Sequence, residues 1–237
     1  MKALVTGGSA GIGLEVAKRL LELDYEVISV DVQPPTHKHP KLEHMEVDLT
    51  NTLATERLAE KLKNQNITTL VHNAGAIRPA LLPEVKIEDF AALVNLHLTA
   101  AVLLVQAALP AMMAAKFGRV VLVSSRAVLG LPTRTSYSAT KAGMLGMART
   151  WALELAPHGI TVNVVAPGPV QTANFHSIVP EGSPQVAKIA GSIPVRRLGQ
   201  PQDVARAVLC FADPDAGFVT GQVLYVCGGA SVGSLAL

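Results

Sequence analysis

The sequence is poor in cysteine and in aromatic residues. Cys210 and Cys227 are its only cysteines, and they do not have the spacing of a metal site. We expect two small buried thiols rather than a disulfide. Aromatic residues make up 4% of the 237 residues and hydrophobic residues 49%, so the core must consist mainly of Ala, Val, Leu and Ile. This composition is typical of helices packed on a parallel sheet.

The sequence also has little excess of charge of either sign. The formal net charge is +2, and no basic run or alternation of basic and aromatic residues occurs, which argues against a nucleic-acid partner. The first strand-like residues follow Met1 directly and leave no room for a secretory signal. We therefore expect a cytoplasmic protein.

Residues 91–115 contain no Asp, Glu, Lys or Arg, and this uncharged run is long enough for a membrane span. However, Asn95, His97 and Gln106 recur within the run and Pro110 interrupts it. This pattern favours a helix buried between a sheet and a partner over a helix in lipid. We expect no membrane segment.

Strand-like and helical patterns alternate along the whole chain. The predicted strands are Lys2–Thr6, Glu26–Asp31, His44–Val47, Thr69–His72, Arg119–Ser124, Thr161–Ala166 and Val223–Val226. The predicted helices are Ile12–Leu23, Thr52–Asn64, Ile87–Ala115, Tyr137–Leu155 and Pro201–Phe211. Right-handed crossovers between such segments predict an α/β fold, a Rossmann-like doubly wound, mostly parallel seven-stranded sheet with helices on both faces. We expect one domain over residues 1–237, with an irregular polar lid at about 171–192.

A glycine loop links the first strand to the first helix. Gly7, Gly11 and Gly13 are spaced so that the backbone can approach a pyrophosphate at the start of the helix. A tight turn without a ligand would have the same sequence. A second feature supports binding of a dinucleotide cofactor. Asp31 ends the next strand about twenty residues on, where a carboxylate binds ribose hydroxyls and repels a 2′-phosphate.

These features predict NAD(H) as the cofactor, with NADP less favoured. Lys38, in the loop after Asp31, is a cation that would favour NADP. Asp48 ends the third strand and is placed to bind an adenine amino group, although a helix N-cap at Thr50 accounts for part of the segment equally well. Gly75, in the motif HNAG, either admits the cofactor edge or makes a turn.

Tyr137 and Lys141 lie four residues apart at the start of a predicted helix and so share one face. An ammonium group at that position stabilises a phenolate, and we expect it to lower the tyrosine pKa from about 10 when helped by a positively charged nicotinamide. Tyr137 then exchanges a proton with an alcohol or carbonyl oxygen. A surface pair would have the same spacing, but Ser124 and Ser125 end the preceding strand on the side of the glycine loop.

Five motifs, in this order, resemble the short-chain dehydrogenase/reductase family of the classical type. They are TGGSAGIG, HNAG, VNLHLTA, SSRAVLG with YSATK, and VAPGPVQT. The resemblance extends over essentially the whole chain and implies a catalytic tetrad of Asn95, Ser125, Tyr137 and Lys141. It implies that Tyr137 is the acid/base and that Ser125 hydrogen-bonds the reacting oxygen. It also implies that Lys141 binds the ribose hydroxyls and that Asn95 orders a water chain that reaches Lys141.

Two residues are candidates for the serine of the tetrad. The family's commoner distance to the tyrosine selects Ser124, whereas alignment of the strand selects Ser125 with one residue missing from the loop. We take Ser125, because a loop absorbs a deletion while a one-residue strand slip turns every side chain over.

The resemblance also implies that residues 167–172 shield one face of the nicotinamide and bind its carboxamide. The whole predicted cofactor site comprises Gly7, Ser9, Gly11, Ile12, Gly13, Asp31, Asp48, Leu49, Asn73, Gly75, Tyr137, Lys141, Pro167, Gly168, Val170 and Thr172.

The predicted function is hydride transfer between NAD(H) and a secondary alcohol or ketone, on a 3-oxoacyl or sugar-like small molecule. Arg126 and Arg134 either meet an anionic substrate or are solvated cations, and the lid, with His176 and few large apolar residues, suggests a modest polar or acyl substrate. The alternatives are an NADP-dependent reductase, an epimerase or dehydratase, and a non-catalytic dinucleotide sensor or scaffold. The resemblance suggests a homotetramer.

Overall fold

A seven-stranded sheet forms the centre of the computed structural model, which describes residues 1–232. All neighbouring strands pair in parallel, in the order β3-β2-β1-β4-β5-β6-β7. The strands are β1 (Lys2–Thr6), β2 (Glu26–Asp31), β3 (Leu42–Glu46), β4 (Thr69–His72), β5 (Gly118–Val123), β6 (Ile160–Pro167) and β7 (Val223–Val226). The predicted fold class is therefore confirmed; of the single domain predicted over 1–237, residues 233–237 lie outside the described residues.

Eight α-helices connect the strands in the described part of the chain. They are α1 (Gly11–Glu22), α2 (Thr52–Leu62), α3 (Ile87–Val94), α4 (Ala100–Ala115), α5 (Thr135–Leu155), α6 (Ala173–His176), α7 (Pro184–Ser192) and α8 (Pro201–Ala212). A π-helical turn, Asn95–Thr99, joins α3 to α4, and 3₁₀ turns lie at Leu82–Glu84, Arg126–Leu129 and Ala156–His158.

Both faces of the sheet are covered, because alternate strand residues point to opposite sides. On one face Leu4, Ile28 and Leu122 pack against α2, α4 and α5. On the other face Val5 and Val121 pack against α1 and α8. The central strands β4 and β5 are buried along their whole length, as expected for strands covered by helices on both sides.

The two edges of the sheet differ in character. Strand β3 has no fully buried residue, and its exposed side chains are Glu43 and Glu46. Strand β7 is apolar, with Leu224 exposed, and the nearby Phe218 is fully exposed.

The switch point of the sheet lies between β1 and β4, where the strand order changes direction. Strands β1 and β4 are neighbours, yet β1 is followed by β2 on one side and β4 by β5 on the other. A cleft opens at the carboxyl ends of the strands at such a switch point.

The stretch Ile87–Ala115 is long and apolar enough to cross a membrane by length and composition. In the structure it is divided by the π-helical turn, and Leu96, Ala100 and Leu104 belong to the core against the sheet. This stretch therefore packs in the core against the sheet.

Two details of the prediction are corrected. The segment 171–192 is not irregular, since it contains α6 and α7. Both thiols are free, but only Cys227 is buried, whereas Cys210 is exposed on α8.

Candidate active site

A cavity of about 1160 Å³ occupies the switch-point cleft. Most of the predicted site residues line it: Gly7, Gly11, Ile12, Asp31, Asp48, Leu49, Asn73, Gly75, Ser125, Tyr137, Lys141, Pro167, Gly168, Val170 and Thr172. Ser9 and Gly13 lie behind this lining, and Asn95 does not reach it. The sequence motifs thus meet at one place in the fold.

The glycine loop is built for close backbone packing. Gly7 and Gly11 have φ angles of +64° and +53°, which side-chain-bearing residues rarely adopt. A Cβ on Gly13 would lie 2.0 Å from the carbonyl oxygen of Gly7. The Asn73 amide donates to the carbonyls of Thr6 and Gly7, at 3.2 and 3.1 Å, and so fixes the loop to the end of β4.

The loop offers unused polar groups to an anion. The residue that precedes α1 is Ala10, which provides no side-chain cap to the helix, and Ser9 Oγ is buried without a partner among the described residues. The free N–H groups and the dipole of α1 therefore favour a phosphate group at this position. These features fit a dinucleotide.

Asp31 lies at the end of β2 with its carboxylate fixed by backbone donors. The N–H of Ser9 donates to Oδ2 at 3.1 Å and the N–H of Gln33 to Oδ1 at 3.3 Å. Such a carboxylate can accept hydrogen bonds from ribose hydroxyls and repels a phosphate at the same position.

The Asp48 carboxylate has local partners. It accepts hydrogen bonds from the N–H and the hydroxyl of Thr50, at 2.9 and 2.7 Å. The N-cap of α2 is Asn51, whose Oδ1 accepts from the N–H of Ala54, so the N-cap expected at Thr50 is corrected by one residue.

Tyr137 and Lys141 lie on the same face of α5, with Lys141 Nζ 5.9 Å from the centre of the tyrosine ring. Burial raises the pKa of Tyr137, while a hydrogen bond from Ser125 and the charge of Arg134 act in the opposite direction. This direction differs from the expected lowering. The reason is that burial of the phenol outweighs the opposing effects of Ser125 and Arg134. Burial also lowers the pKa of Lys141, to about 7.

The structure places the two candidate serines differently. Ser125 lines the cavity with Tyr137 and acts to lower the tyrosine pKa, and its Oγ accepts from the N–H of Ala127 at 3.1 Å. Ser124 is buried, and its hydroxyl donates to the carbonyl of Lys141 at 2.8 Å. Ser124 therefore anchors α5, and Ser125 is the serine beside the tyrosine.

Asn95 does not join this cluster. Its amide donates to the carbonyl of Thr50 at 3.2 Å. The residue that reaches the cluster is His97, whose ring meets Tyr137 edge-on with the ring centres 5.7 Å apart. Residues two apart in a helical run lie on nearly opposite faces, so only one of the pair can face the site. The role predicted for Asn95, a water chain that reaches Lys141, stays a prediction.

Residues after β6 close one side of the cavity. The N–H of Gly168 donates to the carbonyl of Val226 at 3.0 Å, and Thr172 caps α6 by accepting from the N–H of Phe175 at 3.2 Å. A Cβ on Gly11 would lie 3.1 Å from Thr172 Cγ2, so this segment touches the glycine loop.

The lid is more apolar than expected. Phe175, Ile178, Val179 and Ile189 from α6, α7 and the link between them line the cavity, whereas His176 does not. The sequence signal was present in the spacing of these apolar residues, which is hidden by the Gly, Ser and Pro residues among them. Apolar side chains at this wall suit a hydrophobic part of a substrate.

Two half-buried arginines line the cavity near the cluster. The guanidinium of Arg126 donates to the carbonyl of Ala230 at 2.8 Å, and that of Arg134 to the carbonyl of Thr133 at 3.3 Å. Neither forms an ion pair with a carboxylate in the described part of the chain.

Comparison with known proteins shows extensive similarity. A family model described as enoyl-(acyl carrier protein) reductase matches residues 7–231. The chain is 36% identical to the (2S)-((R)-hydroxy(phenyl)methyl)succinyl-CoA dehydrogenase subunit BbsD of Thauera aromatica, over 97% of this chain and 96% of that protein. It is also 36% identical to the 3-oxoacyl-(acyl-carrier-protein) reductase FabG of Haemophilus influenzae, over 96% of each chain.

A solved structure gives the same result. It is described as an NAD(P)-dependent gluconate 5-dehydrogenase from Beutenbergia cavernae with bound NADP, and it superposes with a TM-score of 0.89 at 30% identity. The match covers 98% of this chain and 97% of that one.

Proposed function

Because the chain belongs to the short-chain dehydrogenase/reductase family, we propose that it transfers a hydride between NAD(H) and the 3-hydroxy or 3-oxo group of an acyl substrate. The general reaction, NAD(P)-dependent interconversion of an alcohol and a carbonyl group on a small molecule, follows from the family. The finer assignment is carried by one observation, a tyrosine, a serine and a buried lysine that line one apolar-walled cavity.

The cofactor residues act through backbone donors and carboxylates. The start of α1 and the glycine loop hold the pyrophosphate, Asp31 the adenosine ribose, and Asp48 with Leu49 the adenine. Asn73, Gly75 and residues 167–172 border the nicotinamide. When bound, the nicotinamide gives or accepts the hydride.

The chain's own residues handle the proton. In alcohol oxidation the Tyr137 oxygen accepts the hydroxyl proton, and in ketone reduction it donates that proton back. Ser125 donates a hydrogen bond to the reacting oxygen and holds it beside Tyr137. The ammonium form of Lys141 stabilises the phenolate of Tyr137, and the lid excludes water from the site.

The preference for NAD(H) over NADP rests on Asp31. Its carboxylate is fixed by Ser9 and Gln33 at the place where the ribose hydroxyls are expected. NADP remains the alternative, since a related structure contains it.

The substrate proposal rests on the lid and the arginines. Phe175, Ile178 and Ile189 offer an apolar wall for an acyl chain, and Arg126 and Arg134 offer charge to an anionic group of the same substrate. Reduction of an enoyl group is a second candidate, because the matching family model carries that description.

The proposed assembly is a homotetramer in the cytoplasm. The outer face of α5 exposes Ala142, Gly146 and Leu153, with the exposed Arg149 and Thr150 between the last two, and α4 exposes Met113. Small and apolar residues on neighbouring helices suit a two-fold contact. Free thiols at Cys210 and Cys227 suit a reducing compartment.

A substrate panel with Tyr137→Phe tests the function. We expect turnover of 3-oxoacyl or 3-hydroxyacyl thioesters, followed by the absorbance of NADH, and a loss of about 10²- to 10⁴-fold in kcat in the variant. Binding of NADH, measured by fluorescence, should be unchanged. Tyr225→Phe, on the edge strand β7, is the matched control and should keep full activity.

Other outcomes lead to other functions. Wild-type turnover by Tyr137→Phe contradicts the proposed acid/base. Activity on crotonoyl but not acetoacetyl thioesters favours enoyl reduction, while NADH binding without any turnover favours a sensor.

A further inference from the structure

Arg134 lies at the start of α5, three residues before Tyr137. It is the N-cap residue of the helix, and Tyr137 belongs to the first turn. Side chains at these two positions are neighbours, as in a capping box. Both residues line the cavity, and Arg134 is half-buried there. Its charge also acts to lower the pKa of Tyr137, so the guanidinium lies close to the proposed acid/base.

The local structure gives this arginine no stabilising role. The side chain of Arg134 does not cap α5, where Asn, Asp, Ser or Thr would be favoured. A cation at the start of a helix also opposes the helix dipole. Thr133, just before it, has a φ angle of +65°, which β-branched residues rarely adopt. Strain of this kind beside an active site indicates a functional requirement.

The guanidinium of Arg134 has donors that the fold does not use. Both of its hydrogen bonds leave from Nη1, to the hydroxyl and the carbonyl of Thr133. Among residues 1–232, no carboxylate pairs with Arg134. Partial burial lowers its pKa, because water that would stabilise the charge is excluded. The edge formed by Nε and Nη2 is therefore available to an oxyanion.

The charges that line the cavity are unevenly placed. In the described chain its acidic lining residues are Asp31 and Asp48, both at the end proposed for the adenosine. The lining also contains three arginines, Arg78, Arg126 and Arg134. Of these, Arg78 pairs with an aspartate and Arg126 donates to a backbone carbonyl of the segment after β7. A cationic wall of this kind attracts an anionic substrate, and Arg134 is the member placed beside the tyrosine.

A carboxylate suits this position better than a phosphate. The arginine fork binds either group through two parallel hydrogen bonds. In a carrier thioester, however, the long pantetheine arm separates the phosphate from the acyl carbonyl, so the phosphate cannot lie beside Tyr137 while the 3-oxo group reacts there. In a free 3-oxo acid, one methylene group separates the carboxylate from the reacting carbonyl.

We propose that Arg134 binds the carboxylate of a free 3-hydroxy or 3-oxo acid and so determines the substrate specificity. The reacting oxygen lies at Tyr137 and Ser125, and the alkyl chain packs on the apolar residues of the lid. In oxidation, the hydrogen on C3 leaves as a hydride to NAD⁺ and the hydroxyl proton passes to Tyr137, while the carboxylate is unchanged. This inference rests on the proposed function. Thioesters carry the same reacting group and are expected to be slower substrates.

The test compares 3-hydroxyhexanoate with its methyl ester, which differs in charge but keeps the reacting group. We expect wild-type kcat/KM to be about 10- to 100-fold higher for the acid, the effect of a hydrogen bond between charged groups. Arg134→Gln should remove most of this preference by lowering the value for the acid alone. A merely structural arginine would lower both values by the same factor. Arg206→Gln, at an exposed position of α8, is the control and should change neither.

Two further arms define the anion and the geometry. Arg134→Lys keeps the charge but not the fork, so we expect it to retain an intermediate preference for the acid. Coenzyme A and N-acetylcysteamine thioesters of the same acid differ in the presence of phosphates. If Arg134→Gln lowers kcat/KM for the coenzyme A thioester and not for the free acid, the anion is a carrier phosphate and the proposal is overturned.

Binding of hexanoate tests the arginine without turnover, because hexanoate has the carboxylate but no reacting oxygen. We expect calorimetric titration in the presence of NADH to give a dissociation constant about tenfold or more higher for Arg134→Gln than for the wild type. Equal affinities, or no binding to the wild type, contradict the role of Arg134, as does an unchanged preference between acid and ester in the variant. Hexanoate binding that depends on Arg134, in an enzyme that oxidises none of these compounds, counts against the proposed function instead.

Discussion

At the scale of single residues, the chemistry of the site depends on which side chains meet at the end of the sheet. Tyr137, Lys141 and Ser125 were predictable, because a four-residue helical spacing and the strand register fix their faces. His97 was not, since residues 91–115 are apolar on nearly all sides and give no periodicity to show which residue faces inward. The structure resolves the choice by directing Asn95 to Thr50 and His97 to the tyrosine.

Asp31→Asn is expected to weaken the preference for NADH. The amide keeps an acceptor for the N–H of Ser9 but no longer repels a 2′-phosphate. Near a protein surface, loss of a close like-charge repulsion is worth about 1 to 2 kcal/mol, or roughly tenfold. The ratio of kcat/KM for NADH to that for NADPH should therefore fall by about tenfold.

Glu26→Gln is the control for Asp31. It removes the same charge from the other end of β2, far from the ribose position, and should leave the ratio unchanged. If Asp31→Asn also leaves the ratio unchanged, the carboxylate does not select the cofactor.

At the scale of elements, local packing decides whether a glycine can be replaced by alanine. Gly13→Ala places a methyl group 2.0 Å from the Gly7 carbonyl, which forces the turn between β1 and α1 to move. We expect a loss of at least about 3 kcal/mol in the free energy of unfolding, measured in urea without cofactor, because backbone at this position cannot yield as a side chain does.

Gly191→Ala is the matched control in α7. No heavy atom lies within 4 Å of the added methyl group in the described structure, so the alanine should raise the free energy of unfolding by up to about 1 kcal/mol. Equal urea midpoints for the two variants would show that the turn does not depend on Gly13.

The elements were predictable where the hydrophobic pattern was regular. Strands β1, β2, β4 and β7 have the predicted bounds, while β3 begins at Leu42 and not at His44. The edge position of β3 explains this error, since a half-exposed strand lacks the continuous apolar run of a buried one. Helices α6 and α7 were missed because the Gly, Ser and Pro residues at their ends interrupt the pattern.

At the scale of the whole molecule, the alternation of strands and helices predicts a parallel sheet with a switch point but does not specify the order of all seven strands. Right-handed crossovers leave few arrangements open, and the choice among them depends on long-range packing that no local pattern reports. The assembly is a separate question, because it depends on exposed faces that the fold itself does not use.

Leu153→Glu tests the proposed assembly. Leu153 is 81% exposed on the outer face of α5, where a buried carboxylate would oppose a two-fold contact. We expect a smaller species by light scattering at micromolar concentration, with the helical signal of circular dichroism retained.

The control is Leu53→Glu, which changes a leucine that is 65% exposed on α2, away from the proposed contact. It should leave the mass unchanged. A wild-type protein that is already monomeric at this concentration would contradict the proposed tetramer.

The contrast between the two sheet edges limits how copies of the molecule can join. Glu43 and Glu46 make the β3 edge a poor surface for the apolar β7 edge of another copy, so head-to-tail stacking into filaments is disfavoured. We therefore expect the β7 edge to pair with its own counterpart in an isologous arrangement, which closes after two copies. We expect this charge pattern at one border of the sheet to oppose growth into fibres.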